Sequence, residues 1–329
     1  MKKTKIAING FGRIGRLVLR ELLKKTNAEV VAINDLTDLV TLAHLFKYDS
    51  SQGAFNGTVS HDKNGILINN TQIKTYALKN PAELPWEELE IDVVLECTGI
   101  FRDKEKASLH LQAGAKRVII SAPGKGEMAT VVRGINDELL SGTEQIFSNA
   151  SCTTNCLAPL VKIVLDNWGI EQAFMGTVHA YTADQNLQDS PHKDLRRARA
   201  AAINIVPTSS GAGEALAIIF PEIQGKISVS SLRVPVITGS LVELIVLLKN
   251  PVLSAEEVNK VFKAAADGHF KGIMEYSEAP LVSTDIVGNP HSTIFDAELT
   301  TLNANMLKVT AWYDNEAGYS ARLAEVAVM

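Results

Sequence analysis

Lys5-Ile-Ala-Ile-Asn-Gly-Phe-Gly-Arg-Ile-Gly-Arg16 decides the fold of the first half of the chain. Lys5-Ile-Ala-Ile8 reads as a short buried strand, and Gly10-x-Gly12-x-x-Gly15 follows it at once. Over residues 16–25, Leu17, Val18, Leu19, Leu22 and Leu23 recur as on an amphipathic helix. A second strand, Glu29-Val-Val-Ala-Ile-Asn34, ends at Asp35, twenty residues past Gly15. Each part has a mechanical reason. Gly10 permits the tight turn, Gly12 lets backbone approach a pyrophosphate, and Gly15 lets helix and strand pack closely. The helix N-terminus takes the negative charge, and Asp35 accepts hydrogen bonds from ribose hydroxyls. Strand, glycines, helix, strand and acid in one unit imply a dinucleotide site. The Asp35 carboxylate repels a 2′-phosphate, no Arg follows it directly, and Leu36 offers neither charge nor hydroxyl. NAD is therefore expected over NADP.

More strands follow at the spacing of a doubly wound parallel sheet. Ile91-Asp-Val-Val-Leu-Glu96 runs into Cys97-Thr-Gly99, a helical stretch covers residues 104–113, and Arg117-Val-Ile-Ile-Ser121 comes next. Thr98 and Ser121 fall at strand C-termini, where open parallel sheets bind ligands.

The chain has 329 residues, which suits two domains, and its apolar share of 46% is ample for two cores. A net charge of −5 and a pI near 5.9 argue against a dedicated nucleic-acid binder. The N-terminus has no signal-peptide hydrophobic region, and no apolar run approaches a membrane span. Three cysteines with no CxxC pair suit a reducing cytoplasm. Cys152 and Cys156 have a spacing usable for metal, but no His stands near them, so no metal is expected.

Cys152 lies in Asn149-Ala-Ser-Cys-Thr-Thr-Asn-Cys156, after the strand end Gln145-Ile-Phe-Ser148 and at the start of a helix over 153–168 closed by Gly169. A thiol there faces unpaired N–H groups and the positive end of the helix dipole, and both favour the nucleophilic thiolate. The hydroxyls of Ser151, Thr153 and Thr154 can cap the helix or hold an oxyanion or a phosphate. The plainer alternative is a capped helix with a structural cysteine.

After Cys152 the pattern changes. Phe174-Met-Gly-Thr-Val-His-Ala-Tyr-Thr182 alternates like a strand, and a long polar stretch covers 183–204. Ser254-Ala-Glu-Glu257 is a capping-box signature for a helix to about residue 267. Residues 232–235, 241–249, 281–287, 292–299 and 306–313 read as strands. An α+β half with a mostly antiparallel sheet and helices on one face is expected, with a final helix over about 316–329 that returns to the first domain. The domains are accordingly 1–151 with 316–329, and 152–315. A nucleophilic thiol wants a base. Among seven histidines, His179 lies mid-strand, one helix and one strand after Cys152, and is the residue to pair with it.

These motifs, with Asn34-Asp35, Asp194-Leu-Arg-Arg197, Leu232-Arg-Val-Pro235 and Trp312-Tyr-Asp-Asn-Glu316, occur in an order that closely resembles phosphorylating glyceraldehyde-3-phosphate dehydrogenases of bacterial type, over essentially the whole length. The resemblance implies a Rossmann-type domain binding NAD and a catalytic domain acting on glyceraldehyde 3-phosphate and inorganic phosphate. It implies Cys152 as nucleophile through a thioester and His179 as base. Gly10, Gly12, Arg13, Ile14, Gly15, Asp35, Thr98, Ser121 and Asn315 correspond to cofactor contacts. Thr182 and Arg233 match the substrate-phosphate site. Ser151, Thr153, Ser210 and Gly211 match the attacking-phosphate site, with Arg197 near both. Pro191 matches NAD-preferring members, and residues 183–204 match an S-shaped loop that meets a neighbouring subunit in a cytoplasmic homotetramer.

The chain departs from that pattern at Ala317, where tryptophan is frequent, at Ser210 for threonine, at Glu214 for lysine, and in a short loop at Ser121-Ala-Pro-Gly-Lys-Gly126. None removes a group the mechanism needs. Rival readings are an erythrose-4-phosphate dehydrogenase, a semialdehyde dehydrogenase, and a non-catalytic role in redox sensing or RNA binding.

Overall fold

The structure, a computed structural model, describes residues 2–329. The chain divides into two compact units. The first runs to Val131 and adds Asp137–Ala150 and Ser320–Met329; the second comprises Val132–Asn136 and Ser151–Tyr319.

The first unit holds β1 (Thr4–Asn9), α1 (Arg13–Leu22), β2 (Ala28–Asn34), α2 (Leu39–Lys47), β3 (Val59–Asp62), β4 (Gly65–Ile68), β5 (Thr71–Tyr76), β6 (Val93–Glu96), α3 (Lys104–Gln112), β7 (Arg117–Ile120), β8 (Ala129–Thr130) and β9 (Ile146–Ser148). Its nine strands lie in the order β3-β4-β5-β2-β1-β6-β7-β9-β8. Only β3–β4 and β4–β5 pair antiparallel; the rest is a parallel sheet. Ile6, Ala7 and Ile8 are wholly buried, as a central strand covered on both faces requires. Strand order reverses across β1 and β6, which opens a crevice at their C-terminal ends.

α1 begins three residues before the point the hydrophobic periodicity gives. Arg16 N donates to Gly12 O at 3.0 Å, so the glycine-rich stretch is itself the first helical turn. Gly10 stands at φ +92, and a Cβ there would lie 2.7 Å from Thr98 N. A Cβ on Gly15 would lie 2.2 Å from Gly10 O, so helix and strand can meet only through glycine.

The second unit holds α4 (Cys152–Asn167), β10 (Ile170–Ala180), β11 (Val206–Thr208), α5 (Ala212–Ile219), β12 (Ile227–Val234), β13 (Ser240–Leu248), α6 (Ala255–Asp267), β14 (Met274–Ser277), β15 (Thr293–Asn303), β16 (Met306–Tyr313) and the start of α7 (Ala317–Val326). Its sheet order is β11-β12-β10-β13-β16-β15-β14. Most pairs are antiparallel, with β10–β12 and β14–β15 parallel. α4 packs on β10, β13, β15 and β16 and touches both α5 and α6. β13 alternates strictly, burying Ser240, Val242, Leu244, Val246 and Leu248. At the head of α6, Ser254 Oγ accepts from Glu257 N at 3.3 Å, while the Glu257 carboxylate takes Leu253 N, one residue earlier than the usual reciprocal bond.

Two further features differ from the sequence expectation. Residues 281–287 are not a strand: Ser283–Ile286 forms a 3₁₀ turn, because Asp285 Oδ2 accepts from Val282 N at 2.8 Å and turns the backbone away from the ladder. Val132–Asn136 belongs with the second unit rather than the first. There Gly134 O accepts from His269 Nε2 at 2.7 Å. Among the described residues no helix is long and apolar enough to cross a membrane.

Candidate active site

The strand-to-helix connection is built to present Cys152. β9 ends at Ser148, and Ala150 turns the chain at φ 56, a strained value for a residue with a side chain. Ser151 then caps α4: its Oγ accepts from Thr154 N at 3.1 Å and lies 2.8 Å from Thr154 Oγ1. Cys152 is the first residue of the helix, half-buried. Gly169, at φ 70, ends the helix with its N–H on Val164 O at 3.0 Å.

β10 and β12 run side by side in a register that pairs His179 with Arg233. Cys152 Sγ lies 3.4 Å from His179 Nε2. The other ring nitrogen, Nδ1, lies 2.7 Å from Ala180 O. Arg233 Nη1, which only donates, also lies 2.9 Å from Nδ1, but it has the Ala180 carbonyl as its acceptor. That carbonyl only accepts and is the nearer partner of Nδ1, which assigns the proton to Nδ1 and turns the Nε2 lone pair toward the thiol. Arg233 Nη1 shares that carbonyl at 2.9 Å and reaches Thr182 Oγ1 at 3.4 Å. Arg233 is without an ion-pair partner among the described residues. Beneath the pair, Tyr313 OH bonds to Thr153 Oγ1 (2.9 Å) and Thr177 Oγ1 (3.2 Å), and its ring meets the His179 ring edge-on at 5.8 Å. Burial pushes the Tyr313 phenol up, so it stays a neutral donor.

Electrostatics corrects one expectation. The helix start by itself predicts a thiol held below its ordinary value. Burial instead pushes the Cys152 thiol up, against the Arg233 charge, the Thr153 hydroxyl and the N–H groups of the first turn. Burial and then the Arg233 charge hold His179 down at about 3. Either charge alone is disfavoured. Proton transfer from Sγ to Nε2 creates both at once across 3.4 Å, so the titration belongs to the pair. The other cysteines are inert by the same physics. Burial pushes Cys97 up to about 12 and raises Cys156 further still.

The expected anion ligands fall in two groups. Ser151, Thr153, Thr182 and Arg233 surround the thiol pair. Arg197 stands in a second group, with Nε on Thr208 Oγ1 at 2.7 Å and Nη1 in an ion pair with Asp184. Asp194 lies 3.6 Å from the same guanidinium. Arg197 is close enough to lower both His179 and Arg233. Ser210 and Gly211 open α5, with Ser210 Oγ accepting from Ala212 N at 3.3 Å. Ser210 and Glu214 line a groove of about 830 Å³ in this unit. Asn315 is buried in the second unit, its Oδ1 accepting from Ser240 Oγ at 2.9 Å.

In the first unit, Gly10, Gly12, Asp35 and Thr98 line one pocket of about 530 Å³ at the strand-order reversal. Asp35 is fixed by Phe11 N (2.7 Å) and Thr37 N (2.9 Å). A Cβ on Gly12 would meet nothing within 4 Å, so backbone there faces open space that a ligand can approach. Arg13 points instead at Asp49 (2.6 Å) and Ser51, and Ile14 follows it on α1. Ser121 follows the C-terminal end of β7, close to the Cys97 thiol. These residues fit a dinucleotide: an acid for ribose, a helix N-terminus, and glycine backbone open to the pocket. Sequence spacing missed Leu78, Lys79 and Phe101, which line the pocket from loops remote in the chain. It also missed Tyr313 and Asp184. Tyr313 lies in the Trp312-to-Glu316 motif without any role being read from it, and only the pairing of distant strands and the folding of the loop bring the two residues to the site.

Comparison with known proteins agrees with this division. The family described as glyceraldehyde 3-phosphate dehydrogenase, NAD binding domain, matches residues 4–104, and its C-terminal domain counterpart matches residues 151–315. The glyceraldehyde-3-phosphate dehydrogenase of Clostridium acetobutylicum is 52% identical, covering 97% of this chain and 96% of that protein. Those of Mycobacterium avium and Mycolicibacterium smegmatis are each 53% identical, covering 99% of this chain and 98% of theirs. With both domains matched and half of all positions identical from end to end, the chain belongs to the glyceraldehyde-3-phosphate dehydrogenase family.

Proposed function

We propose that the chain carries out the NAD-dependent oxidative phosphorylation of glyceraldehyde 3-phosphate to 1,3-bisphosphoglycerate, with Cys152 as nucleophile. The observation that carries this is Cys152 Sγ at 3.4 Å from Nε2 of a buried histidine, beside an arginine with no ion-pair partner among the described residues. Bound NAD supplies the hydride acceptor. Gly10, Gly12, Gly15 and the start of α1 with Arg13 and Ile14 would hold its pyrophosphate, and Asp35 its ribose. Thr98, Ser121 and Asn315 keep the cofactor roles of the family pattern.

His179 Nε2 takes the thiol proton, and the Sγ–carbon bond forms at the aldehyde carbon. The Cys152 N–H at the helix start steadies the oxyanion, which takes that proton back from His179 Nε2 to give a hemithioacetal and leaves His179 free to act as base again. His179 takes that hydroxyl proton as the carbon is oxidised, leaving an acyl thioester on Cys152. Arg233 and Thr182 hold the substrate's own phosphate by charge-assisted hydrogen bonds. Ser151, Thr153, Ser210, Gly211 and Arg197 receive inorganic phosphate. Its oxygen attacks the thioester carbonyl, the carbon–sulfur bond breaks, and the thiolate returns.

A homotetramer is part of this reading. The second unit leaves Leu187 (78%), Leu195 (82%) and Ile203 (79%) exposed in the loop region after β10, more apolar surface than a solvent-facing loop favours. A cytoplasmic location is supported by three free cysteines. No feature of either unit favours the erythrose 4-phosphate, semialdehyde, RNA-binding or redox-sensing alternatives.

NADH formation tests the reading directly. Glyceraldehyde 3-phosphate, NAD and phosphate together should give sustained turnover, while omission of phosphate should leave a single burst as acyl-enzyme accumulates. Faster turnover on erythrose 4-phosphate, or turnover indifferent to phosphate, overturns it. Cofactor choice gives a second expected outcome. kcat/KM should favour NAD, and Asp35→Gly with Leu36→Thr should narrow the preference by at least about tenfold, because a like charge no longer faces the 2′-phosphate. Lys79 in the same pocket then supplies a cation. A wild-type preference for NADP refutes the role given to Asp35.

A further inference from the structure

His110 lies on α3, behind the sheet, and does not line the dinucleotide pocket. It is wholly buried. An imidazole in that position is costly unless both nitrogens are bonded. Both are. The Trp86 indole N–H, which can only donate, lies 3.1 Å from Nδ1. Nδ1 is therefore the acceptor and the proton sits on Nε2, which points at Glu96 Oε2 at 3.1 Å.

Glu96 ends β6 and is buried, with no lysine or arginine paired to it among the described residues. Neutral donors hold it. Asn9 Nδ2 reaches Oε2 at 2.5 Å, while the Thr98 N–H (2.8 Å) and hydroxyl take Oε1. Asn9 Oδ1 in turn accepts from Asn34 Nδ2 at 2.7 Å. Asn34 closes the series on the Leu78 backbone, donating to its carbonyl and accepting from its N–H, both at 2.9 Å. One continuous chain of hydrogen bonds thus links Trp86, His110, Glu96, Asn9, Asn34 and Leu78. It crosses the C-terminal ends of β6, β1 and β2 under the glycine turn. Asn9, Asn34, Thr98 and Leu78 all line the pocket; Trp86, Glu96 and His110 do not.

We propose that His110 is a positioning residue for the dinucleotide site, acting through Glu96 on Asn9 and Thr98. The inference rests on the dinucleotide reading of that pocket. An apolar side chain would fill the same space without polar atoms to satisfy, so packing alone gives no reason for histidine. The chain instead fixes three strand ends relative to one another, because every bond in it has one permitted direction. Taking away the Nε2 donor leaves Glu96 Oε2 with Asn9 alone. Glu96, the common anchor of Asn9 and Thr98, then loses the bond that fixes it from His110, and the pocket rim loosens where the cofactor approaches backbone.

The test uses the full-length protein, with NAD titrated calorimetrically well below each variant's melting temperature. His110→Leu should raise the NAD dissociation constant about tenfold or more, the scale of one buried acceptor left short of a donor. Iodoacetamide labelling of Cys152 without NAD should be unchanged, which confines the effect to the pocket. His110→Gln can accept from Trp86 and donate to Glu96, and should bind NAD within about threefold of wild type if direction of bonding is what matters. Trp86→Phe, which keeps an aromatic ring but deletes the donor, should also weaken NAD and covers the case in which His110→Leu does not fold. Unchanged NAD affinity in His110→Leu, or equal losses in the Leu and Gln variants, overturns the proposal and leaves His110 a packing residue. Failure of the wild type to bind NAD overturns the dinucleotide reading as well, and is read separately.

Discussion

In Cys152→Ser, NADH formation from glyceraldehyde 3-phosphate falls below about a hundredth of the wild-type rate, because a serine hydroxyl is not ionised near neutral pH and no route but covalent attack is available. NAD binding should stay within about threefold of wild type, since the dinucleotide pocket is built from first-unit residues and Cys152 is not among them. Steady-state rates and NAD titration on the same preparation check both halves. Cys97 and Cys156 give the variant no substitute nucleophile, because burial raises both thiols. A rate above that limit removes Cys152 from its role.

His179→Asn is the second large effect. Loss of the base should lower kcat by about a hundredfold to ten-thousandfold, the range for a positioned general base. Its more telling readout is the pH profile of Cys152 labelling by iodoacetamide. In the wild type a proton leaving Sγ has Nε2 to receive it at 3.4 Å, and the two charges form together. In the variant the thiolate must form alone. Burial, which raises the thiol, is then opposed only by Arg233, the Thr153 hydroxyl and the helix N–H groups. The midpoint should therefore move up, above the ordinary thiol value of about 8.5, and labelling at neutral pH should slow about tenfold for every pH unit by which the midpoint rises. Activation by His179 is lost as an explanation if the two profiles superimpose, and its part shrinks to packing on β10 against Tyr313.

The turn at Gly10-x-Gly12-x-x-Gly15 was legible in the sequence because steric exclusion is local: a Cβ at Gly15 collides with Gly10 five residues away. Cys152 at a helix start was legible for the same reason, since Ser151 caps the helix from the adjacent position. The hydrophobic periodicity likewise announced β10, β13 and β16, whose inward faces are fixed by alternation. It failed at 281–287, where one aspartate's bond to nearby backbone outweighed an apolar pattern.

What no local pattern could give was the state of charge. The helix start argued for a depressed thiol, but desolvation depends on everything packed around Sγ, and that packing comes from β10, β12 and β16 as much as from α4. The same holds for the pocket of the first unit. Sequence supplied Asp35 and the glycines, while Lys79, Leu78 and the His110–Glu96 chain entered only when the sheet brought the ends of β1, β2 and β6 together. Sequence alone determined the backbone turns, the helix caps and the placing of a thiol at a helix start, because these rest on steric and hydrogen-bond rules acting over a few residues. The tertiary structure decided which proton sits on which nitrogen, which arginine is left unpaired, and what holds the pocket rim, because burial and long-range pairing are properties of the folded whole.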